Sequence, residues 1–298
     1  MRKHNQPYKI LMILLVLAML GSGAVLVREW YPAFEQYRLS RQLSTLAFRG
    51  QEENGTDDQH SNQETDLSDE KSGQGDGYIS PIDFSALREQ NPDTVGWLSI
   101  AGVQKSGADL EYPVVQAKDN ETYLKTSFDG KKSVYGAIFL DSESQSDFRG
   151  RNNLIYGHHM KDGTMFGSLE RFRQEDFFRA HNQFVLYTPE RMIYLKAVSC
   201  YSIKNQDEGE EIRRMQFADQ DDFDEWVRER LAPCRFAEIP ETSVASVFAF
   251  VTCSYDKPDS RTILYALETD EDGEILVASE KSVTEHEAKP VTVCVAYE

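Results

Sequence analysis

The sequence predicts a mainly β domain, a barrel or sandwich with short helical decorations. Three observations predict it. From about Ser80 onward, short apolar runs bounded by turn residues recur along the chain. Helical periodicity is confined to brief segments. Strands do not alternate with helices in the manner of a parallel βαβ sheet.

Taken in order, the domain begins with a helix signature. Ser80 stands as N-cap, Pro81 at the first helical position and Asp83 in the first turn; the pattern runs to Gln90, where Asn91-Pro92 stops it. Strands are then expected at residues 95–100, 112–116, 136–140 and 153–156. Short helices are expected at 163–171 and 174–180, and strands again at 183–187 and 192–203. Residues 221–231 place Phe223, Trp226, Val227 and Leu231 on one side, an amphipathic helix. The last core strands fall at 246–253 and 262–267, with a further one expected at 273–279.

What precedes the domain is of a different kind. Residues 10–27 carry no charge, and eighteen residues at about 1.5 Å rise span roughly 27 Å, close to a bilayer core. Arg2, Lys3 and Lys9 come before it, which predicts a cytoplasmic N-terminus and an extracellular bulk. A cleaved signal peptide is the rival, with Gly21-Ser22-Gly23-Ala24 as its small-residue site, but apolar residues continue past it to Val27. Residues 1–9 are therefore read as cytoplasmic, 10–27 as a single-pass membrane anchor and 28–48 as a short juxtamembrane helix. Residues 49–78 are rich in Gly, Ser, Gln, Asp and Glu. They read as a solvated linker that holds the domain, residues 79–298, off the membrane.

Composition narrows the function. The 298 residues carry a formal charge of −18, which argues against a nucleic-acid partner. The chain has four cysteines, Cys200, Cys234, Cys253 and Cys294. An exported domain of this size does not need staples, so no structural disulfide is expected.

The chemistry concentrates near Cys253. An apolar strand ends at Thr252-Cys253, a polar connection follows, and Arg261 opens the next strand. Pairing of those strands as a hairpin would stand Cys253 and Arg261 at neighbouring ends, about 5 Å apart. His158 lies where another strand runs into a Gly-containing loop. A thiol, an imidazole and a guanidinium supply a nucleophile, a proton carrier and an oxyanion donor. Each alone has a plainer reading: a buried small side chain for the cysteine, a surface arginine, a metal-binding pair for His158-His159. Adjacent residues in extended chain point to opposite faces, and no further Cys/His cluster is nearby, so neither metal nor cofactor is expected.

Val251-Thr252-Cys253 with Arg261 eight residues on, together with Tyr156-Gly157-His158-His159, resembles the signature of sortases, and of class B in particular. The resemblance extends from about Ser80. It includes Asn91-Pro92-Asp93-Thr94-Val95-Gly96-Trp97, Tyr112-Pro113-Val114-Val115-Gln116, Lys118-Asp119-Asn120, Tyr123-Leu124, Gly136-Ala137-Ile138-Phe139-Leu140-Asp141 and residues 158–166. The helix just before the last two core strands also fits class B. One departure is that Ala249-Phe250 stands where the family usually has Thr-Leu, which bears on pocket shape.

The resemblance implies a closed β-barrel and a membrane-anchored extracellular cysteine transpeptidase of a Gram-positive envelope. Cys253 would attack the carbonyl of a C-terminal sorting signal, Asn-Pro-x-Thr-like, on surface proteins and form a thioacyl intermediate. His158 would be the acid–base partner, and Arg261 would position the peptide and hold the oxyanion. An amine of the cell-wall peptidoglycan precursor or of a pilin would resolve the intermediate. Asn120, Leu124, Tyr156, Val251 and Thr252 would line the substrate groove. Asn91-Pro92-Asp93-Thr94 mimics such a signal, but it sits where a helix ends and reads as a helix stop. The alternatives are an L,D-transpeptidase, which should show a Ser-x-Gly-Cys-type motif; a papain-like wall hydrolase, whose cysteine should precede its histidine; and an inactive surface scaffold, which should have a broken triad. None of these marks is present.

Overall fold

The computed structural model of the chain describes residues 7–48, 78–204, 211–254 and 260–278. Eight strands form its centre: β1 Thr94–Ile100, β2 Leu110–Val115, β3 Ile138–Leu140, β4 Asn152–Gly157, β5 Gln183–Tyr187, β6 Met192–Lys204, β7 Val247–Ser254 and β8 Ser260–Thr269. They close into a barrel in the order β1-β2-β3-β4-β7-β8-β6-β5. Closure leaves no sheet edge to pair with another chain. Only β2–β3 and β4–β7 are parallel; the other neighbours are antiparallel.

β7 shows why its sequence is apolar without alternation. Phe248 and Phe250 enter the barrel core with Leu98, Ile155 and Leu264. Val247, Ala249 and Val251, on the other face, pack under a helix. A strand buried on both faces reads as a continuous apolar run. The covering helix is Gln220–Leu231, whose buried side is Phe223, Trp226, Val227 and Leu231, the stripe its sequence predicts. Asp219 caps it by accepting from the Asp222 backbone N–H.

Three local expectations differ from the structure. The first domain helix is Phe84–Gln90, with Asp83 as N-cap, accepting from the Ala86 backbone N–H. Ser80 Oγ instead accepts from Ile82 N, a turn two residues short of a helix. The segment expected as a helix at 163–171 is a 3-10 helix, Phe166–Arg173. Gly163 (φ 85) and Met165 (φ 50) are left-handed, so no right-handed helix passes through them. A short helix, Glu175–Ala180, follows. The expected strand at 273–279 is reduced to isolated bridges, Thr269↔Ile275 and Val244↔Val277, and Ser279 lies outside the described residues.

The largest difference lies at the N-terminus. The expected anchor and juxtamembrane helix are one helix, Pro7–Ala47, with Pro32 inside it. Its last turns dock on the domain. Leu43 and Ala47 are buried with Ile82, Phe84, Leu87 and Trp97. Phe48 meets Trp97 edge-on, ring centroids 5.9 Å apart. Asp83 N donates to Ala47 O at 2.8 Å. Leu39, Leu43, Leu46 and Ala47 recur at helical spacing, an apolar stripe that needs a partner surface. The linker therefore joins two points already in contact; residues 49–77 lie outside the described residues. Among the described residues no helix is long and apolar enough to cross a membrane. The side chains of residues 10, 18 and 20–27, ten of the eighteen in the apolar run, lie outside that description.

Candidate active site

Three neighbouring strands bring the predicted residues to one level of the barrel. In the β7–β8 pair Cys253 lies directly across from Arg261. In the parallel β4–β7 pair the last register position is Gly157↔Thr252. His158 and Cys253 each stand one residue beyond it. Adjacent strands lie about 5 Å apart, so His158, Cys253 and Arg261 stand side by side in chain positions 95 and 8 residues distant. The side chain of Cys253 and residues 255–259 of the β7–β8 connection lie outside the described residues.

His158 is held in one orientation. Its Nε2 is 2.7 Å from the Leu124 carbonyl oxygen. A carbonyl only accepts, so Nε2 carries the proton and Nδ1 is left to exchange one with a reacting group. Two glycines make this arrangement possible. A Cβ on Gly157 would fall 2.6 Å from Ile138 Cδ1 and 2.7 Å from Phe166. Gly136 (φ +59) approaches the same loop, where a Cβ would meet Tyr123 O at 2.4 Å and His158 Cδ2 at 3.0 Å.

His159 belongs elsewhere. It is buried and its Nε2 is 3.2 Å from Glu170 Oε2, while Glu170 Oε1 pairs with Arg173. Its role is packing away from the His158 side, as opposite-face geometry predicts. Among the described residues no cluster of three or more His, Cys, Asp or Glu could ligate a metal. Of the other cysteines, Cys200 and Cys234 are buried and free. Burial pushes the Cys200 thiol far above its ordinary range, which makes it a poor nucleophile.

The expected groove residues separate into two groups. Leu124, Asn120 and Tyr156 cluster beside the three strand ends. Leu124 supplies the carbonyl for His158. Asn120 Nδ2 and Tyr156 Oη both donate to Asp141 Oδ2 at 2.9 Å. The Tyr156 ring packs on Phe139, centroids 5.1 Å apart. Burial first, then the Asp141 carboxylate, push the Tyr156 phenol far above its usual range, so it stays protonated and donates. Val251 and Thr252 are 2% and 0% exposed, within the barrel wall. Asp141 was not singled out by the sequence beyond its place in the Gly136-to-Asp141 motif; a carboxylate directly after an apolar strand was its signal.

Asn91 of the mimic signal is a buried C-cap, its side chain donating to Tyr123 Oη and Phe128 O, both at 2.9 Å. It ends a helix, as expected.

Comparison with known proteins agrees with this architecture. The sequence model described as Sortase domain matches residues 103–269. A sortase B of Listeria monocytogenes serovar 1/2a is 40% identical over 98 residues, 33% of this chain and 38% of that protein. A sortase B of Staphylococcus aureus is 30% identical over 146 residues, 49% of this chain and 57% of that protein. The matched segments thus span under two thirds of these relatives. Among solved structures, sortase B of Clostridium perfringens superposes with a TM-score of 0.57 and 30% identity, covering 62% of this chain and 99% of that one. A Staphylococcus aureus sortase B–substrate complex gives 0.55 and 26%, covering 66% and 85%.

Proposed function

The chain belongs to the sortase family, and from that premise we propose that it is a class B cysteine transpeptidase. The observation that carries the reading is the alignment of His158, Cys253 and Arg261 across β4, β7 and β8. Cys253 attacks the scissile carbonyl of a sorting-signal peptide, forming a C–S bond. Arg261 donates to the oxygen on which negative charge develops. His158 takes the thiol proton of Cys253 on Nδ1 and passes it to the leaving amine as the C–N bond breaks; an acceptor amine of wall precursor or pilin then attacks the thioacyl carbonyl, a new C–N bond replaces the C–S bond, and the amine's proton returns to Cys253 through His158.

The substrate is an Asn-Pro-x-Thr-like signal on surface proteins, a reading supported by the class B likeness and by Asn120 beside the site. The protein is held in the cell membrane by residues 10–27, N-terminus inside and barrel outside. That placement is supported by the uncharged run and the preceding Arg2, Lys3 and Lys9. Comparing kcat/KM on an Asn-Pro-x-Thr peptide and on a Leu-Pro-x-Thr-Gly peptide tests the specificity. The first is expected to be preferred; equal values or a preference for the leucine peptide contradict it.

A further inference from the structure

Asp141 follows β3 directly and is fully buried. Its Oδ2 accepts from Asn120 Nδ2 and Tyr156 Oη at 2.9 Å and from Arg213 Nε at 3.0 Å. Its Oδ1 accepts from the Glu143 backbone N–H at 2.9 Å and faces Arg213 Nη2 at 3.5 Å. A buried carboxylate is tolerated only when paired and hydrogen-bonded, and this one gathers donors from four separate parts of the chain.

The groups gathered are not a random set. Tyr156 lies two residues before His158 in the chain, and Asn120 four before Leu124, whose carbonyl holds His158; Asn120 is locked from both ends, since its Oδ1 accepts from Ser142 N at 2.9 Å. Tyr156 lies opposite Val251 in register, two residues before Cys253, and feels the charge of Arg261. Arg213, half-exposed, ends the short 3-10 segment Glu211–Arg213. That segment is itself clamped, with Asn152 Nδ2 donating to Ile212 O at 2.7 Å and Trp226 Nε1 to Glu211 O at 3.0 Å.

We infer that Asp141 is a positioning residue for peptide binding: it fixes Asn120 and Tyr156 as a rigid groove wall and ties them to Arg213. It does not touch the reacting atoms. Its removal therefore loosens the peptide without altering the thiol. A neutral asparagine in its place would turn an amide N–H toward donors and lose the charge that holds Arg213.

This rests on the peptide-transfer reading, so the full chain is assayed on whichever sorting peptide from a library it cleaves best. Asp141→Asn is expected to raise KM about tenfold or more, the size of a lost charged hydrogen-bond set, with a smaller change in kcat. The rate at which iodoacetamide alkylates Cys253 without peptide should not change. Tyr156→Phe, which deletes one hydroxyl, should raise KM in the same direction but less. The double variant should be no worse than Asp141→Asn alone, because both remove one network. An unchanged KM in folded Asp141→Asn overturns the role, as does an alkylation rate that falls in step with kcat. If Asp141→Asn does not fold, Tyr156→Phe decides, and its unchanged KM overturns the role. A parent chain that cleaves no peptide overturns the transpeptidase reading and this role together, and shows it before any variant is made.

Discussion

Cys253 and Arg261 are direct cross-strand partners on β7 and β8, eight residues apart in sequence. The pairing sets the two residues across from each other on adjacent strands, not on a flexible loop. Arg261→Ala is therefore expected to lower kcat by about a hundredfold or more, the range for a lost oxyanion donor. Arg261→Lys should recover little, because an ammonium lacks the planar fork. Steady-state turnover on one peptide checks both. Full activity in Arg261→Lys would show that charge alone suffices.

The two adjacent histidines should separate cleanly. His158→Ala is expected to leave Cys253 open to alkylation while transpeptidation nearly disappears. His159→Ala removes a buried contact with Glu170 and should lower stability by about 1–3 kcal/mol, with turnover retained at temperatures where it is folded. Thermal unfolding and turnover, measured on both, check the assignment. A dead but folded His159 variant beside an active His158 variant would reverse it.

Gly136 offers a backbone test of the same geometry. Its positive φ and the 3.0 Å approach of a Cβ to His158 Cδ2 predict that Gly136→Ala displaces the imidazole or the Leu124 carbonyl that orients it. Activity should fall more than that of Gly130→Ala, where φ is also positive (+77°) but no atom lies within 4 Å. Equal loss in the two would show that strain alone, not the contact with His158, is responsible.

The docked helix makes a prediction about truncation. Removing residues 1–27 leaves Leu43 and Ala47 in place. Removing residues 1–78 strips them from Ile82, Leu87 and Trp97, and one buried leucine alone is worth about 2–5 kcal/mol. The shorter deletion should melt at a higher temperature than the longer one. Equal melting temperatures would show that the helix does not contribute to the fold.

Much of this was legible in the sequence, for identifiable reasons. The strands of the barrel were readable because their apolar runs are bounded by turn residues, and the helix Gln220–Leu231 because its stripe is regular. The cross-strand pairing of Cys253 with Arg261 was readable because a short polar connection joins two apolar strands. Closure of the sheet was not legible in the local patterns, which a barrel and a sandwich share; the sortase resemblance implied it, and the strand order bears it out. The fate of Leu39, Leu43 and Leu46 was missed because a polar linker follows them and suggested separation; only tertiary contact shows that chain distance is bridged. The left-handed backbone at Met165 carries no residue-type signal, so the 3-10 helix after it could not be distinguished from an α-helix. Asp141 was invisible as a hub because its three side-chain partners come from positions 120, 156 and 213.

The most direct measurement is the intact mass of the protein after mixing with an Asn-Pro-x-Thr-containing peptide in the absence of an acceptor amine. The account predicts an adduct equal to the peptide fragment up to the threonine, located on Cys253 by peptide mapping, released by hydroxylamine and absent from Cys253→Ala. Turnover of the peptide by Cys253→Ala, or an adduct on any other residue, would contradict it.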